Sequence, residues 1–379
     1  MNEAPSERIG IPRLDVSTKT IACVVGARPN FMKIAPIMRE IGRSNCLQAF
    51  LIHTGQHFSP EMSDNFFREL DIPEPDEDLG VGAGTPVEQT ALIMRALESS
   101  LLKRRPDLVV VVGDVTSTMA AAIVASKMEI PLAHVEAGLR SFDRSMPEEI
   151  NRMVTDSLSD YLFVTEECGV SNLRRESICE SRIFFVGNVM IDTLLRFRER
   201  AKHSRVLNDY GLQKNAYALV TLHRPSNVDT PAKLRDWMCL LRRVSERLPV
   251  VFPVHPRTER RIRECGFSTQ GITLLPPQGY IDFLQLMAEA RLVATDSGGI
   301  QQETTILGVP CLTLRENTEC PVTLTEGTNR LVGTNPDHVF QAILETLDNP
   351  LKCAGAPKYW DGQASRRIVE ILEHELFTS

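Results

Sequence analysis

The chain has 379 residues, of which 42% are hydrophobic and 24% charged, and it carries a formal net charge of −7. This length predicts about two domains, and the composition is that of a globular protein. The negative balance argues against nucleic acid or an anionic membrane as a partner, because both call for a basic face. No apolar run approaches the ~20 residues of a membrane span, and the polar segment 1–19 has no apolar signal core. We therefore expect a cytoplasmic protein with no nucleic-acid or membrane partner.

The cysteines and the glycine-rich stretches predict no metal and no dinucleotide cofactor. The 9 cysteines lie at irregular spacing without a C-x-x-C pair, which is typical of reduced thiols in a cytosol. The run Gly80–Gly84 lacks the G-x-G-x-x-G spacing of a dinucleotide site. It also follows an acidic stretch, Asp76–Leu79, that we do not predict to be a strand.

The first half of the chain repeats a pattern of apolar strand, turn and helix. Each strand is a continuous apolar run, as in a strand that helices cover on both faces. The predicted strands are Thr20–Val25, Leu51–Gly55, Asp107–Asp114, Pro131–Glu136 and Tyr161–Thr165. We expect helices to begin near Asn30, to span Thr116–Lys127 and to run from Pro147 to about Ser159.

The pattern restarts after Gly187. The predicted strands of this half are Tyr217–Leu222, Val250–Val254, Ile272–Leu275, Arg291–Thr295 and Pro310–Leu314. Two such series predict an α/β protein with two doubly wound, parallel-sheet (Rossmann-like) domains. We expect a lead-in at 1–19, a first domain at 20–186 and a second at 187–362. We expect a last helix, within 363–379, to pack back on the first domain.

Polar side chains follow several predicted strands, where ligands of open parallel sheets bind. The first strand leads into Gly26–Lys33, in which Arg28 and Lys33 are candidates to hold a phosphate. Two solvated surface cations are the alternative. A later strand ends in Asp114, which is either functional or the N-cap of the next helix.

Three more carboxylates lie in the first half. Glu136 ends a buried strand, where a lone carboxylate is costly unless it is paired or functional. Arg140 is its expected partner, and such a pair could be purely structural. Glu148 and Glu149 also suit the first turn of a helix. If Asp114, Glu136 and Glu148 converge on one cleft, they form acid–base equipment.

The second half offers two histidines and an anion seat. His223 and His255 end apolar strands, and His beside Arg suits a diphosphate, although a single His is more often structural. Residues 296–303 end a strand and begin a helix, whose free N–H groups favour an anion. The side chains and glycines of interest there are Ser297, Gly298, Gly299 and Glu303. Glu303 is placed to accept hydrogen bonds from ribose hydroxyls.

These fragments, in this order, resemble the UDP-N-acetylglucosamine 2-epimerase family of the non-hydrolysing type. The most specific matches are His134–Arg140, Pro147–Arg152 and Thr295–Glu303, and Thr54–His57 and Arg330–Gly333 also match. The resemblance covers nearly the whole chain after the lead-in. It implies the two-domain fold of B-type glycosyltransferases, with UDP in the interdomain cleft, and a homodimer.

The resemblance also implies residue roles and a reaction. UDP would be held by Arg28, His223, Ser297, Gly298 and Glu303, near Phe283, which is otherwise a helix-core residue. We add Lys33, Arg140, Gly299 and His255 to these candidates. The implied catalytic group is Asp114, Glu136 and Glu148, with His223. The implied reaction is epimerisation at carbon 2 of a UDP-N-acetylhexosamine, by elimination of UDP to a glycal and re-addition.

The sequence departs from the family pattern at several positions, namely Asn30, Ser59, Val115, Pro225 and Asn227. Ser59 puts a regulatory substrate site in doubt. Pro225 and Asn227 leave room for a different sugar, such as a UDP-2,3-diacetamido uronic acid. The competing functions are a hydrolysing epimerase, a glycosyltransferase of the same fold and a non-catalytic nucleotide-sugar sensor. Retention of all three carboxylates argues against the sensor.

Overall fold

Two parallel β-sheets, one in each half of the chain, organise the computed structural model, which describes residues 18–56, 69–82, 84–349 and 355–378. Helices alternate with the strands, which confirms the predicted α/β class. Within the described residues, no helix is both long and apolar enough to cross a bilayer.

The first sheet has seven parallel strands in the order β3-β2-β1-β4-β5-β6-β7. Its strands are β1 Lys19–Val25, β2 Leu47–His53, β3 Glu77–Asp78, β4 Leu108–Val112, β5 Leu132–Ala137, β6 Tyr161–Val164 and β7 Ile183–Phe185. Its helices are α1 Arg28–Ile41, α2 Pro86–Arg104, α3 Thr116–Lys127, α4 Pro147–Leu158 and α5 Glu167–Arg175. All five residues of β4 are fully buried. Burial of a valine side chain contributes roughly 1.5–3 kcal/mol, so this central strand anchors the sheet.

The acidic stretch before Gly80 differs from the prediction. Glu77 and Asp78 form a short strand that pairs with Ile52 and His53 of β2, so the expectation of no strand there is wrong. The strand lies at the edge of the sheet, where charged residues are tolerated and discourage pairing with another chain.

The second sheet has six parallel strands in the order β10-β9-β8-β11-β12-β13. Its strands are β8 Ala218–Thr221, β9 Val250–Pro253, β10 Ile272–Leu275, β11 Leu292–Thr295, β12 Cys311–Thr313 and β13 Asn329–Leu331. The helices from residue 189 onward are α6 Val189–Ala201, α7 Val206–Asp209, α8 Pro225–Val228, α9 Pro231–Ser245, α10 Pro256–Glu264, α11 Tyr280–Ala288, α12 Gly298–Leu307, α13 Val322–Thr325, α14 Pro336–Asp348 and α15 Ala364–Thr378.

Helix α6 connects the two sheets. It packs on α1 in the first half and on α11 and α12 in the second. The Thr193 hydroxyl donates to the Met32 carbonyl at 2.6 Å, and Asp192 accepts from the N–H groups of Ala364 and Ser365. Asp192 thereby caps α15, which contacts α1. The domain boundaries remain predictions, with residue 187 falling between β7 and α6.

Candidate active site between the two sheets

Two of the predicted carboxylates follow neighbouring strands of the first sheet. Asp114 lies just after β4, and Glu136 lies in β5, which pairs with β4. The Lys33 ammonium of α1 contacts Glu136 Oε2 at 2.5 Å. Burial alone would lower the pKa of Lys33, but the Glu136 and Asp114 carboxylates outweigh it and hold that pKa above its usual value. Gly113 makes this approach possible, because a Cβ there would lie 2.8 Å from Lys33 Nζ.

The backbone of Glu136 is unusual for a strand. Its φ is 74°, a region that residues with a side chain rarely occupy, and the β5–β6 register shifts between Val135 and Ala137. Such conformations persist only where the surrounding structure holds them, and they cluster at active sites. The irregularity lies at the buried Glu136 carboxylate that contacts Lys33, and β5 resumes its pairing at Ala137.

Arg152 of α4 holds Asp114 in place. Its Nη2 donates to Asp114 Oδ2 at 2.9 Å, and its Nη1 donates to Glu149 Oε2 at 2.6 Å. Glu149 also accepts from the Ser141 and Phe142 backbone N–H groups at 2.9 Å each. Glu149 is therefore a buried support of the loop, whereas the neighbouring Glu148 is exposed.

The expected ion pair between Glu136 and Arg140 is wrong. The buried guanidinium of Arg140 contacts Asp156 Oδ2 and Glu176 Oε2, each at 2.7 Å. Asp156 also contacts His134 Nδ1 at 2.6 Å. Arg140 therefore lies in a buried network with Asp156, His134 and Glu176, and its guanidinium is already paired with two carboxylates. A role in holding UDP stays a prediction.

In the second half, His223 lies beside a buried carboxylate. Its Nδ1 contacts Asp296 Oδ1 at 2.6 Å. The neighbouring Arg224 donates from Nε to the Asp296 carbonyl at 3.1 Å. His255 follows the neighbouring strand β9 and is exposed at the start of α10, where its ring accepts from the Arg257 N–H at 3.3 Å.

A helix begins where the anion seat is predicted, and the binding of an anion there stays a prediction. Ser297 is the N-cap residue of α12, and Gly298 and Gly299 are its first turn. Glu303 is buried two turns on and accepts from the Tyr280 hydroxyl at 3.0 Å. Burial raises the pKa of Glu303 to about 7 despite this hydrogen bond.

The remaining UDP candidates are placed less specifically. Phe283 of α11 is half-buried and packs against the main hydrophobic cluster. Arg28 begins α1, but its side chain lies outside the described part of the structure, as do His57 and Ser59. The backbone at Arg28 is fixed by Asn30, whose Oδ1 accepts from the Gly26 and Ala27 N–H groups.

A carboxylate of the second half meets the first half across the seam between the sheets. Glu319 contacts Arg315 at 2.7 Å, Arg152 at 3.6 Å and Arg224 at 3.8 Å. Nearby, Asn188 Nδ2 donates to Gln302 Oε1 at 2.9 Å. The Asp114 carboxylate, bound to Arg152, is thus joined through Glu319 to the loop that carries His223 and Arg224.

Several residues of this arrangement were not predicted. Arg152 ends the motif Pro147–Arg152, but its one-turn spacing from Glu149 is that of an ordinary helical ion pair. Glu319 and Arg315 follow a strand that carried no motif. Asp296 lies directly before Ser297, and its position after an apolar strand and opposite His223 was the signal available. Among residues 18–56, 69–82, 84–349 and 355–378, no group of three or more His, Cys, Asp or Glu side chains could hold a metal ion.

Known proteins share this architecture and sequence. Residues 39–373 match the family model for UDP-N-acetylglucosamine 2-epimerase. The chain belongs to this family. It is 42% identical to the UDP-N-acetylglucosamine 2-epimerase of Methanocaldococcus jannaschii, covering 93% of this chain and 99% of that protein. It is 39% identical to a UDP-2,3-diacetamido-2,3-dideoxy-D-glucuronate 2-epimerase of Pseudomonas aeruginosa, with the same coverage of both.

Solved structures of the family have the same fold. The M. jannaschii enzyme in complex with UDP-GlcNAc and UDP superposes with a TM-score of 0.86 at 41% identity, covering 94% of this chain and 99% of that one. The Neisseria meningitidis enzyme bound to UDP-GlcNAc gives a TM-score of 0.87 at 30% identity, covering 94% and 100%. These matches confirm the predicted family and its two-sheet fold.

Proposed function

We propose that this protein is a non-hydrolysing UDP-N-acetylglucosamine 2-epimerase, which interconverts UDP-GlcNAc and UDP-ManNAc. The observation that carries this proposal is two salt-bridged carboxylates at neighbouring strand ends, Asp114 and Glu136. Asp114 is joined across the seam, through Arg152 and Glu319, to the loop of His223 and Arg224. Membership of the family supplies the reaction class. We expect it to be cytoplasmic and, as the family resemblance implies, to act as a homodimer.

The chemistry explains why these groups are needed. Carbon 2 of the sugar has no neighbouring carbonyl, so its proton is not acidic enough for simple removal and return. UDP instead leaves carbon 1 with the electrons of the C1–O bond, and a carboxylate takes the carbon 2 proton, which gives a glycal. A proton is then delivered to the opposite face of carbon 2 while the UDP oxygen adds back to carbon 1. Acid–base groups on both faces and cations on the diphosphate are required.

The described contacts suit these roles. Asp114 and Glu136 each contact a cation and are able to accept a proton, whereas Glu148 is exposed and lies close enough to Arg224 to act on it electrostatically. The start of α12 supplies N–H groups to the diphosphate, and Glu303 supplies an acceptor for ribose hydroxyls.

Proton NMR of UDP-GlcNAc with the enzyme in heavy water tests the proposal. We expect deuterium at carbon 2 and a growing manno signal. Free N-acetylmannosamine with UDP would instead identify a hydrolysing enzyme. Turnover of UDP-2,3-diacetamido glucuronate alone would identify the activity of the P. aeruginosa relative.

The Glu136→Gln variant separates catalysis from binding. We expect turnover to fall by about 10²–10⁴-fold, the usual contribution of a general acid or base. UDP affinity should stay within a few-fold of wild type, because the amide oxygen that replaces the carboxylate can still accept from Lys33, and the α12 seat is left unchanged. Undiminished turnover in this variant would refute the role of Glu136.

A further inference from the structure

The buried Asp296 carboxylate beside His223 contacts four hydrogen-bonding groups. Asp296 follows β11 and is fully buried. Its oxygens accept from the backbone N–H groups of His223 at 3.1 Å and Arg224 at 3.0 Å, and from Asn227 Nδ2 at 2.9 Å. The fourth partner is the His223 ring, whose Nδ1 lies 2.6 Å from Oδ1.

These contacts decide the charge of Asp296. Burial alone would raise its pKa, but His223, Asn227 and the Arg224 N–H outweigh burial and hold the pKa below its usual value. Asp296 is therefore a carboxylate at neutral pH, and it can only accept hydrogen bonds.

The carboxylate in turn fixes the ring of His223. Because Oδ1 only accepts, the nitrogen 2.6 Å away must carry a proton, so Nδ1 is the protonated nitrogen. The His223 side chain is 62% exposed, and within the described residues its Nε2 has no partner. The ring therefore presents Nε2 to solvent at the carboxyl ends of β8 and β11, beside the start of α12.

We propose that Asp296 is a positioning residue, which holds His223 with Nδ1 protonated and stabilises the imidazolium, so that Nε2–H donates to the diphosphate as its bond to carbon 1 breaks. This inference rests on the proposed function. The diphosphate oxygen gains negative charge when the C1–O bond breaks, and a cationic donor offsets that charge. A neutral ring with a lone pair on Nε2 would instead repel the oxygen. The same contact holds UDP ready for re-addition.

The other Asp296 contacts do not require a charge. Backbone and amide N–H groups hydrogen-bond to a neutral amide oxygen, whereas an imidazolium is stabilised by a carboxylate. Asp296→Asn keeps the size of the side chain and one acceptor oxygen, and it removes the charge. If Asp296 only holds the loop, the variant should behave like wild type. If Asp296 acts through His223, the variant should lose activity.

The direct test is nitrogen-15 NMR of the histidine-labelled full chain in the presence of UDP, with the His223 signals assigned by their loss in His223→Gln. We expect both ring nitrogens of His223 to be protonated in the wild-type protein with UDP, and this signature to change in Asp296→Asn. Asn227→Ala removes another Asp296 partner without touching the ring, and it should leave the signature unchanged. A wild-type ring with a bare Nδ1, or with a bare Nε2 when UDP is bound, would overturn the proposal, even if Asp296→Asn does not fold.

Kinetics supply the second test. We expect Asp296→Asn and His223→Gln each to lower kcat by about 10²–10⁴-fold with a small change in KM. The double variant should have about the same kcat as the less active of the two single variants. Losses that multiply in the double variant would contradict an action through His223. The NMR measurement needs no turnover. Absence of epimerisation would therefore refute the proposed function, whereas the NMR signals alone decide the protonation of His223.

Discussion

Single buried carboxyls set how the protein responds to pH. Glu303 and Glu166 are both buried, and burial raises the pKa of each from 4.5 to about 7. Between those two pH values the folded state binds the proton more tightly than the unfolded chain does. Stability contributed in this way is full below pH 4.5 and is lost as pH rises to about 7, with no further change above that.

The Glu303→Gln variant tests this pH dependence. Glu303 should lower the free energy of unfolding by on the order of 3 kcal/mol between pH 4.5 and 7, since each pKa unit corresponds to about 1.4 kcal/mol. The variant has no such carboxyl and should lack this decrease. We expect urea unfolding at pH 5 and pH 8 to show a smaller difference in unfolding free energy in the variant than in wild type. The Tyr280 hydroxyl donates a hydrogen bond that lowers the pKa of Glu303. In Tyr280→Phe this bond is absent, so the decrease in stability with pH should extend to higher pH than in wild type. Equal pH dependence of stability in wild type and Glu303→Gln would show that Glu303 does not bind its proton more tightly in the folded state.

At the scale of elements, buried strands were predictable and short edge strands were not. Strands such as β4 are apolar throughout because helices cover both faces, and that pattern is visible in sequence. The edge strand β3 has two charged residues and no apolar run, so only its pairing with β2 reveals it. The strand-end motifs were also visible, whereas the bulge at Glu136 depends on how β6 pairs with β5.

The turn after β5 is held by a close approach of two backbones. Gly138 has a φ of 79°, and a Cβ there would lie 2.4 Å from the Gly169 carbonyl oxygen. Gly211 has a φ of 63° with nothing within 4 Å of such a Cβ, which makes it a matched control. Alanine at either site costs about 1 kcal/mol for the left-handed backbone, and overpacking at Gly138 adds roughly 1–3 kcal/mol.

Thermal and urea unfolding should therefore separate the two alanine variants, with Gly138→Ala less stable than Gly211→Ala. Turnover should also fall in Gly138→Ala, because the Gly138 N–H donates to Asp156 in the network behind Glu136. Equal stability of both variants would show that the turn has room to relax.

For the whole molecule, the contacts between residues far apart in the chain were beyond sequence reasoning, both within the first half and between the two halves. Lys33 and Glu136 are 103 residues apart, and Arg152 meets Glu319 from the other half of the chain. Both pairs depend on how helices and sheets dock, which no local pattern encodes. The sequence indicated that charged groups lie at the strand ends, but not which of them pair.

The docking of the halves should depend on one carboxylate. Glu319 is buried among three arginines, Arg315, Arg152 and Arg224, and burial, which would raise its pKa, is outweighed by Arg315 and Arg152, which hold the pKa low. Glu319→Gln removes the carboxylate between Arg315 and Arg224, whereas Arg152 keeps Asp114 and Glu149. Breaking such a buried ion pair costs about 3–5 kcal/mol. Glu345→Gln is the control, because the Glu345–Arg330 pair is largely exposed and contributes about 0–1 kcal/mol.

Urea unfolding should show the larger loss in Glu319→Gln, and small-angle scattering should show a larger radius of gyration for it than for the control. UDP bound at the proposed site beside His223 should stabilise Glu319→Gln more than wild type, because a diphosphate there brings negative charge to the neighbouring Arg224. The stabilising contribution of Glu319 is present at neutral pH and is lost as pH falls below the usual glutamate range, since its folded-state pKa is lowered. Wild type and variant should therefore converge in stability at low pH. A Glu319→Gln protein as stable and compact as Glu345→Gln would show that the halves are held together by the packing of α6 and α15 alone.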